Sequence, residues 1–415
     1  MDLMSDYWTY NQCYEIPRNY ALWSALGLLG ATVHRKVLYL HGDIEIHANL
    51  YVGLIGAQGT SKSTSCTFAR QFFQQACPDM PVGPSRASPE SIAKAMIEDK
   101  FCRSFTNWNQ ESTEVRPYAF FINEFKNFVG RSPFDMVTFL TDIYDTKAYD
   151  ASTIARGAEF IINPAINILM CETPEWFTKN IKGDIITGGI MRRFVLVYET
   201  AYTDPIPFPT ITPEAFTAKQ RILKRLTEIR SLSGQFFWSP DARASYDKWY
   251  KMNHALFVSE QNPAMKGYLK SKHIQLFKVM MLLDASNDRP MFLFTKDFME
   301  HGLGLLGALE HNMPKLSLAA GRNEMMASYL KALDLLEQNG GWLPEKRLKC
   351  LLESDMDSTE IYHALKHLED TDRIIKHLHP VPNNGGVKVE RWMVSLPQKF
   401  LEETSKLKTS DVKPQ

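Results

Sequence analysis

No net charge singles out one class of partner for this sequence: 47 Lys and Arg are balanced by 47 Asp and Glu. A polyanion is therefore not drawn in by a global basic field, and any nucleic-acid contact has to come from a local patch. Cysteine is sparse. The six residues Cys13, Cys66, Cys77, Cys102, Cys171 and Cys350 include no C-x-x-C pair. That argues against a zinc site and a disulfide scaffold, and it fits a reducing, cytoplasmic setting. The apolar runs are too short and too interrupted to cross a bilayer. The acidic start, M-D-L-M-S-D, carries no signal-peptide pattern, so no membrane partner is expected. Internal repeats are lacking as well.

What remains is an ordinary globular composition, 44% hydrophobic and 23% charged. The 415 residues suit two or three domains at roughly 100–200 residues each. Leu22, Trp23, Leu26, Leu29 and Val33 have helical spacing and predict a buried helix over 18–33. The run 50–55, L-Y-V-G-L-I, reads as a buried strand, followed by a Gly-rich turn and a helix over 62–76. Residues 78–87 form a loop, and Ser88-Pro89 opens the next helix with an incomplete capping box, because Ser91 stands where Glu or Gln is usual. Further apolar runs at 118–122, 166–170 and 194–198 have the length of buried strands. Strands alternating with helices predict an α/β fold with a mainly parallel sheet covered on both faces.

A stretch with Pro205, Pro207, Pro209 and Pro213 reads as a stiff linker, and the pattern from there to about 318 is helical. The last part reads as helix, helix, helix, strand, turn, strand, the order of a winged helix. Its first helix, over 323–338, ends at Asn339-Gly340-Gly341, and its third is capped at Asp357 or Ser358. The expected divisions are 1–202 for a core with N-terminal helices, 203–318 for a helical region, 319–400 for the winged-helix-like domain and 401–415 for a flexible tail.

The most informative motif is Gly56-Ala57-Gln58-Gly59-Thr60-Ser61-Lys62-Ser63-Thr64. It follows a buried strand and opens a helix, the setting a phosphate-binding loop requires. Gly59 lets the backbone turn, amide N–H groups point into the turn, and the helix N-terminus favours negative charge. Lys62 would reach the β- and γ-phosphates of ATP, and the Ser63 hydroxyl would hold Mg2+. Ser61 replaces the second glycine of the usual pattern. If that position requires positive φ, serine costs about 1 kcal/mol, weakening phosphate binding rather than abolishing it.

An ATPase of this kind needs an acidic strand end beside the loop. Phe120-Phe121-Ile122-Asn123-Glu124 has that form. Asn123 stands where Asp is usual and can meet Mg2+ through a bound water. Glu124 is the candidate base for the attacking water. A further strand ends in Glu172-Thr173, with Thr173 or Glu172 as a sensor of the γ-phosphate or the water. Arg192 and Arg193 directly precede a strand. An arginine at a subunit edge stabilises charge developing in a neighbour's site, and Arg193 is favoured over Arg192 for that role. Lys147, Tyr149 and Arg156 lie between the acidic strand and the next one, with the basic and aromatic chemistry of a loop that grips a single strand.

Together, the phosphate loop, the N-E strand end, the N-P-x-x-x-I-L strand with T-P and the G-G-I-M-R-R-F segment resemble the ATPase module of phage and prophage primase–helicase proteins. That module is similar to AAA+ motors, including superfamily-III-type helicases. The resemblance covers roughly 10–315. It implies a P-loop AAA+-like core in a homo-oligomer, a hexameric ring, acting as an ATP-dependent DNA translocase or helicase in replication of a phage or mobile element. Single-stranded or forked DNA would be the partner, with replication proteins docking through the C-terminal domain. Residues 320–415 carry 14 Lys and Arg against 15 Asp and Glu, so that domain offers a poor phosphate-binding face, and protein docking is a rival role for it. The rival for the whole chain is a nucleotide switch or loader with slow turnover and no unwinding.

Overall fold

The computed structural model describes residues 2–130, 133–151, 159–181, 189, 191–200, 202–313, 326–353, 356–382 and 388–398. The expected tail, 401–415, lies outside the described residues. The chain divides into two compact units, Met1–Ser317 and Leu318–Gln415. Among the described residues no helix is long and apolar enough to cross a membrane.

The first unit begins with helices α1 (Leu3–Asn11) and α2 (Arg18–Val33), strands β1 (Val37–His41), β2 (Ile44–His47) and β3 (Tyr51–Gly56), and helix α3 (Lys62–Ala76). Next come α4 (Pro89–Ile97), β4 (Arg103–Thr106), β5 (Ser112–Ile122), α5 (Phe125–Val129), α6 (Pro133–Ile143), β6 (Ala148–Asp150) and β7 (Phe160–Ile162). Strand β8 (Pro164–Glu172), α7 (Pro174–Asn180), α8 (Met191–Arg193) and β9 (Phe194–Glu199) follow. The remainder is α9 (Pro213–Ile229), β10 (Gly234–Trp238), α10 (Pro240–Ser259), α11 (Pro263–Ser286), β11 (Leu293–Phe294) and α12 (Lys296–Glu310).

The fold is α/β, and its largest sheet has the order β4-β5-β8-β3-β9. Strands β5, β8, β3 and β9 are parallel, and β4 adds an antiparallel edge. Every residue of β3 and β8 is buried, which is why both read as largely apolar runs without strict alternation. Helix α2 is buried from Trp23 to Val33. It lies on β3, β8 and β9 and is covered in turn by α1, α3, α9 and α11. A helix apolar on all sides suits only such a central position. Its larger side chains each stabilise the fold by roughly 1.5–3 kcal/mol through burial.

A second sheet, β11-β10-β1-β2, was not foreseen from the sequence. Strands β1 and β2 form a hairpin whose turn uses Gly42 at φ 63°. Strand β10 pairs with β1 in parallel, Val37 opposite Gly234. The segment 203–318 is therefore not purely helical, since it supplies β10 and β11. The proline stretch 203–212 has neither helix nor strand.

Polar satisfaction explains several local details. The capping box of α4 is complete after all: the Ser91 hydroxyl accepts from Ser88 N at 2.9 Å while Ser88 Oγ accepts from Ser91 N at 3.2 Å. Serine is short, yet it reaches back as Glu would. Lys278 is fully buried and donates to both the carbonyl and side-chain oxygens of Asn49, with Asp145 at 3.4 Å and the Tyr144 ring beneath it. A buried ammonium so surrounded is tolerated; alone it is not.

The second unit runs α13 (Met326–Gln338), β12 (Trp342–Pro344), α14 (Glu345–Leu352), α15 (Ser358–Asp370), β13 (Ile375–Pro382) and β14 (Lys388–Ser395). Its sheet order is β12-β14-β13, all antiparallel. The core joins Leu336, Leu343, Leu348, Ile361, Leu365 and Val394. Asp357, not Ser358, caps α15, and Glu360 closes its capping box. Helix α13 ends at Gly340 and Gly341, both at positive φ, as the sequence led one to expect. Strand β12 is an addition that its three-residue length concealed.

Two histidines make the first unit sensitive to acid. Burial lowers His34 well below its ordinary value and holds His47 at about 4 against the opposing pull of Glu45. Both are neutral in the fold and bind protons more readily once unfolded. Stability contributed this way is present above about pH 6.5 and is lost as pH falls toward 4. From pH 7 to pH 5, His47 alone should cost about 2 kcal/mol. Denaturant melts at the two pH values should show this loss, and His47→Gln should flatten the dependence.

Candidate functional site

The parallel sheet brings the carboxyl ends of β3, β8, β5 and β9 to one edge, where Ile55 stands opposite Glu172 and Gly56 opposite Glu199. In an open α/β sheet this edge is where ligands bind. The loop from Gly56 to Ser61 emerges there and runs into α3. Gly56 has no room for a side chain: a Cβ would lie 2.3 Å from the Tyr20 hydroxyl, which donates to Ile55 O at 2.6 Å. Gly59 has φ 82°, a conformation that favours glycine. Ser61 also lies in the left-handed region, φ 58° and ψ 20°, and stands at the N-cap of α3 without a side-chain cap bond. The position does demand positive φ, so serine carries strain there.

Lys62 is only 8% exposed. Its Nζ donates to Gly56 O and Ala57 O at 2.6 Å each and to Thr60 Oγ1 at 3.2 Å. Thr60 in turn donates to Ala57 O at 2.9 Å. Burial lowers the Lys62 pKa, opposed by the negative ends of Cys171, Glu172 and Glu175. The ammonium is thus held inside the loop by carbonyl oxygens, partners that phosphate oxygens can replace with a stronger, charge-assisted bond. Ser63 and Thr64 follow on the exposed first turn of the fifteen-residue α3. Gly59, Thr60, Ser61 and the amino end of α3 therefore have the chemistry of an anion cradle.

The acidic partners divide into two kinds. Asn123 and Glu124 are exposed at the end of β5. Glu124 accepts from Asn127 Nδ2 at 2.5 Å and pairs with Lys126 at 3.5 Å. Glu172, one strand nearer the loop, is only 4% exposed. Its oxygens accept from Lys126 N at 2.7 Å and Thr173 N at 2.9 Å. It thereby ties the end of β8 to α5 and lies in the electrostatic reach of Lys62. Thr173 serves as the N-cap of α7, its Oγ1 accepting from Trp176 N at 3.4 Å. Sequence reasoning gave most weight to Glu124 and less to Glu172; the signal for Glu172 was an acidic residue closing a largely apolar run. It missed Tyr20, Tyr202 and Glu199. The Tyr202 hydroxyl donates to Gln58 O at 3.2 Å, and Glu199 accepts from Asn19 at 2.7 Å, with burial raising its pKa.

Arg192 and Arg193 form α8 at the amino end of β9, opposite the start of β3. Five strand steps of about 3.3 Å separate that end from the Gly56–Ser61 loop of the same chain. Arg192 is exposed, whereas Arg193 is half-buried with its Nε enclosed and without a hydrogen-bond partner among the described residues. Lys147 and Tyr149 belong to the β6–β7 hairpin. Lys147 pairs with Glu45 at 2.7 Å, and Tyr149 packs edge-on against Phe139. Arg156 lies outside the described residues.

Comparison of the chain with protein-family models and with curated proteins finds no match.

The left-handed backbone at Ser61 has a measurable consequence. Ser61→Gly should leave the melting temperature unchanged or raise it. Ser61→Val, β-branched at positive φ, should cost about 1–3 kcal/mol. Thermal unfolding of the two variants distinguishes strain from a relaxed loop.

Proposed function

We propose that this chain is an AAA+-like P-loop ATPase that acts as an ATP-dependent DNA translocase or helicase in the replication of a phage or mobile element. The observation that carries the reading is the position of β8 between β3 and β5. It brings the Lys62 loop, the Asn123-Glu124 strand end and Glu172-Thr173 to a single edge, the three parts that phosphoryl transfer requires. Lys62 and the α3 amides would hold the phosphates, Ser63 and, through a bound water, Asn123 would hold Mg2+, and Glu124 would orient the attacking water after releasing Asn127; the metal, when bound, would supply neutralisation of the phosphate charge. The order helix, strand, helix, helix, strand, strand supports reading the second unit as a winged helix that docks DNA or replication proteins.

The distance between Arg193 and the loop of its own chain supports action on a neighbouring subunit, hence a ring. Arg192 shares that end of the strand and is the more exposed of the two. A β-hairpin between the acidic strand and the next one, bearing Lys147 and Tyr149, suits contact with a single DNA strand, although Glu45 already neutralises Lys147. A second reading, a slow nucleotide switch or loader, is favoured by the strain at Ser61, the missing charge at Asn123 and the engagement of Glu124. Strand displacement on a forked substrate with and without ATP separates the two.

Lys62→Ala should weaken ATP binding about ten- to a hundredfold, the loss of one charge-assisted contact, with the fold intact. Equal affinity in both proteins would sink the assignment. Glu124→Gln should keep binding and lower hydrolysis by about 10²–10⁴-fold. Persisting turnover there would transfer the role to another carboxylate, with Glu172 first in line.

Arginine action in trans is tested by mixing. Lys62→Ala subunits keep both arginines, and Arg193→Ala subunits keep an intact loop. Mixed oligomers should regain part of the ATPase activity. Activity equal only to the sum of the separate mutants, in oligomers shown to be mixed, removes Arg193 from the role; Arg192→Ala is read the same way.

A further inference from the structure

The second sheet carries a groove of about 440 Å³ whose walls include Tyr39, Phe237, Trp238 and Tyr246, with Arg243 at its rim. Trp238 packs against Tyr246 at 4.9 Å and donates its indole N–H to the Tyr39 hydroxyl at 2.9 Å, so the aromatic wall is rigid. Phe237 is 57% exposed.

Elsewhere on the same unit lies a segment with complementary chemistry. Residues 202–212, Y-T-D-P-I-P-F-P-T-I-T, form neither helix nor strand. Pro205, Pro207 and Pro209 restrict the backbone and leave it few donors. Phe208 is 86% exposed, an unusual state for a phenyl ring on a finished surface. Asp204 is exposed and makes no ion pair among the described residues, as is true of Arg243. The segment is anchored at Ile206 N to Glu15 at 2.7 Å and through Tyr202 to Gln58, which commits it to the loop side of its own chain. Proline-rich segments dock in aromatic-lined grooves, because a pre-restricted backbone loses little entropy on binding.

We propose that the proline strap of one copy docks in the aromatic groove of a second copy of this chain. Phe208 and its flanking prolines pack against the aromatic wall, and Asp204 pairs with Arg243. Strap and groove are different surfaces, so the contact is head-to-tail and generates rings or filaments rather than a closed pair. The proposal does not rest on the ATPase reading, and its test contains no nucleotide.

The test is sedimentation velocity on the full chain over a wide concentration range. Phe208→Ala, Asp204→Arg and Arg243→Asp alter exposed side chains and should keep the wild-type melt. Each should weaken self-association about tenfold or more, as removal of an interface anchor or a charge partner does. Asp204→Arg combined with Arg243→Asp should restore association. A synthetic peptide spanning residues 203–213 in excess should dissociate the wild-type assembly and change Trp238 fluorescence, and its Phe208→Ala version should do neither. A chain that stays monomeric throughout, or an assembly indifferent to these variants and to the peptide, overturns the proposal. Peptide binding to a chain that remains monomeric also overturns it, because the groove then serves a segment of another protein.

Discussion

The parallel pairing of β3 with β8 on one side and β9 on the other is the constraint on which the first unit depends. These strands are buried along their length, so their backbone groups have no water to turn to and the ladder must be complete. A complete ladder fixes register, and register fixes which residues meet at the carboxyl edge. Ile55 opposite Glu172 and Gly56 opposite Glu199 are consequences of that register. A slip of one residue would separate the loop from its acidic neighbours.

At that edge, electrostatics and backbone strain act on the same few residues. Lys62 is drawn inward by loop carbonyls although burial disfavours its charge. Ser61 accepts a left-handed conformation so that α3 can begin directly beneath the loop. Glu172 is fixed by two backbone amides, and Glu124, free of such bonds to backbone, remains at the surface with Asn127 and Lys126. A carboxylate held by backbone is fixed in place, whereas one held by exposed side chains can move.

The second sheet changes what the later part of the first unit is for. Strands β10 and β11 extend the β1–β2 hairpin, and α9 packs on α1 while α11 packs on α2. Lys278 on α11 reaches Asn49 just before β3, so a residue from the late helices steadies the entry to that strand. The proline strap between β9 and α9 remains outside this packing, with Phe208 exposed.

By itself the sequence determined what depends on near neighbours along the chain. The start of α3 at Lys62, the cap at Ser88-Pro89, the glycine end of α13 and the buried runs of β3, β8 and β9 were all legible, because caps, left-handed glycines and continuous apolar runs act within a few residues. Even there the reach of a side chain mattered: Ser91 closes a box that its residue type did not advertise. Tertiary structure alone decided the rest. The hairpin at 37–47 alternates and turns at Gly42-Asp43, yet such short strands gain stability only from β10, far along the chain. Strand order, the burial of Glu172, the φ of Ser61 and the remoteness of Arg193 from its own loop follow from which apolar surfaces find each other. Burial free energy is summed over the whole unit, and no local stretch of sequence contains that sum.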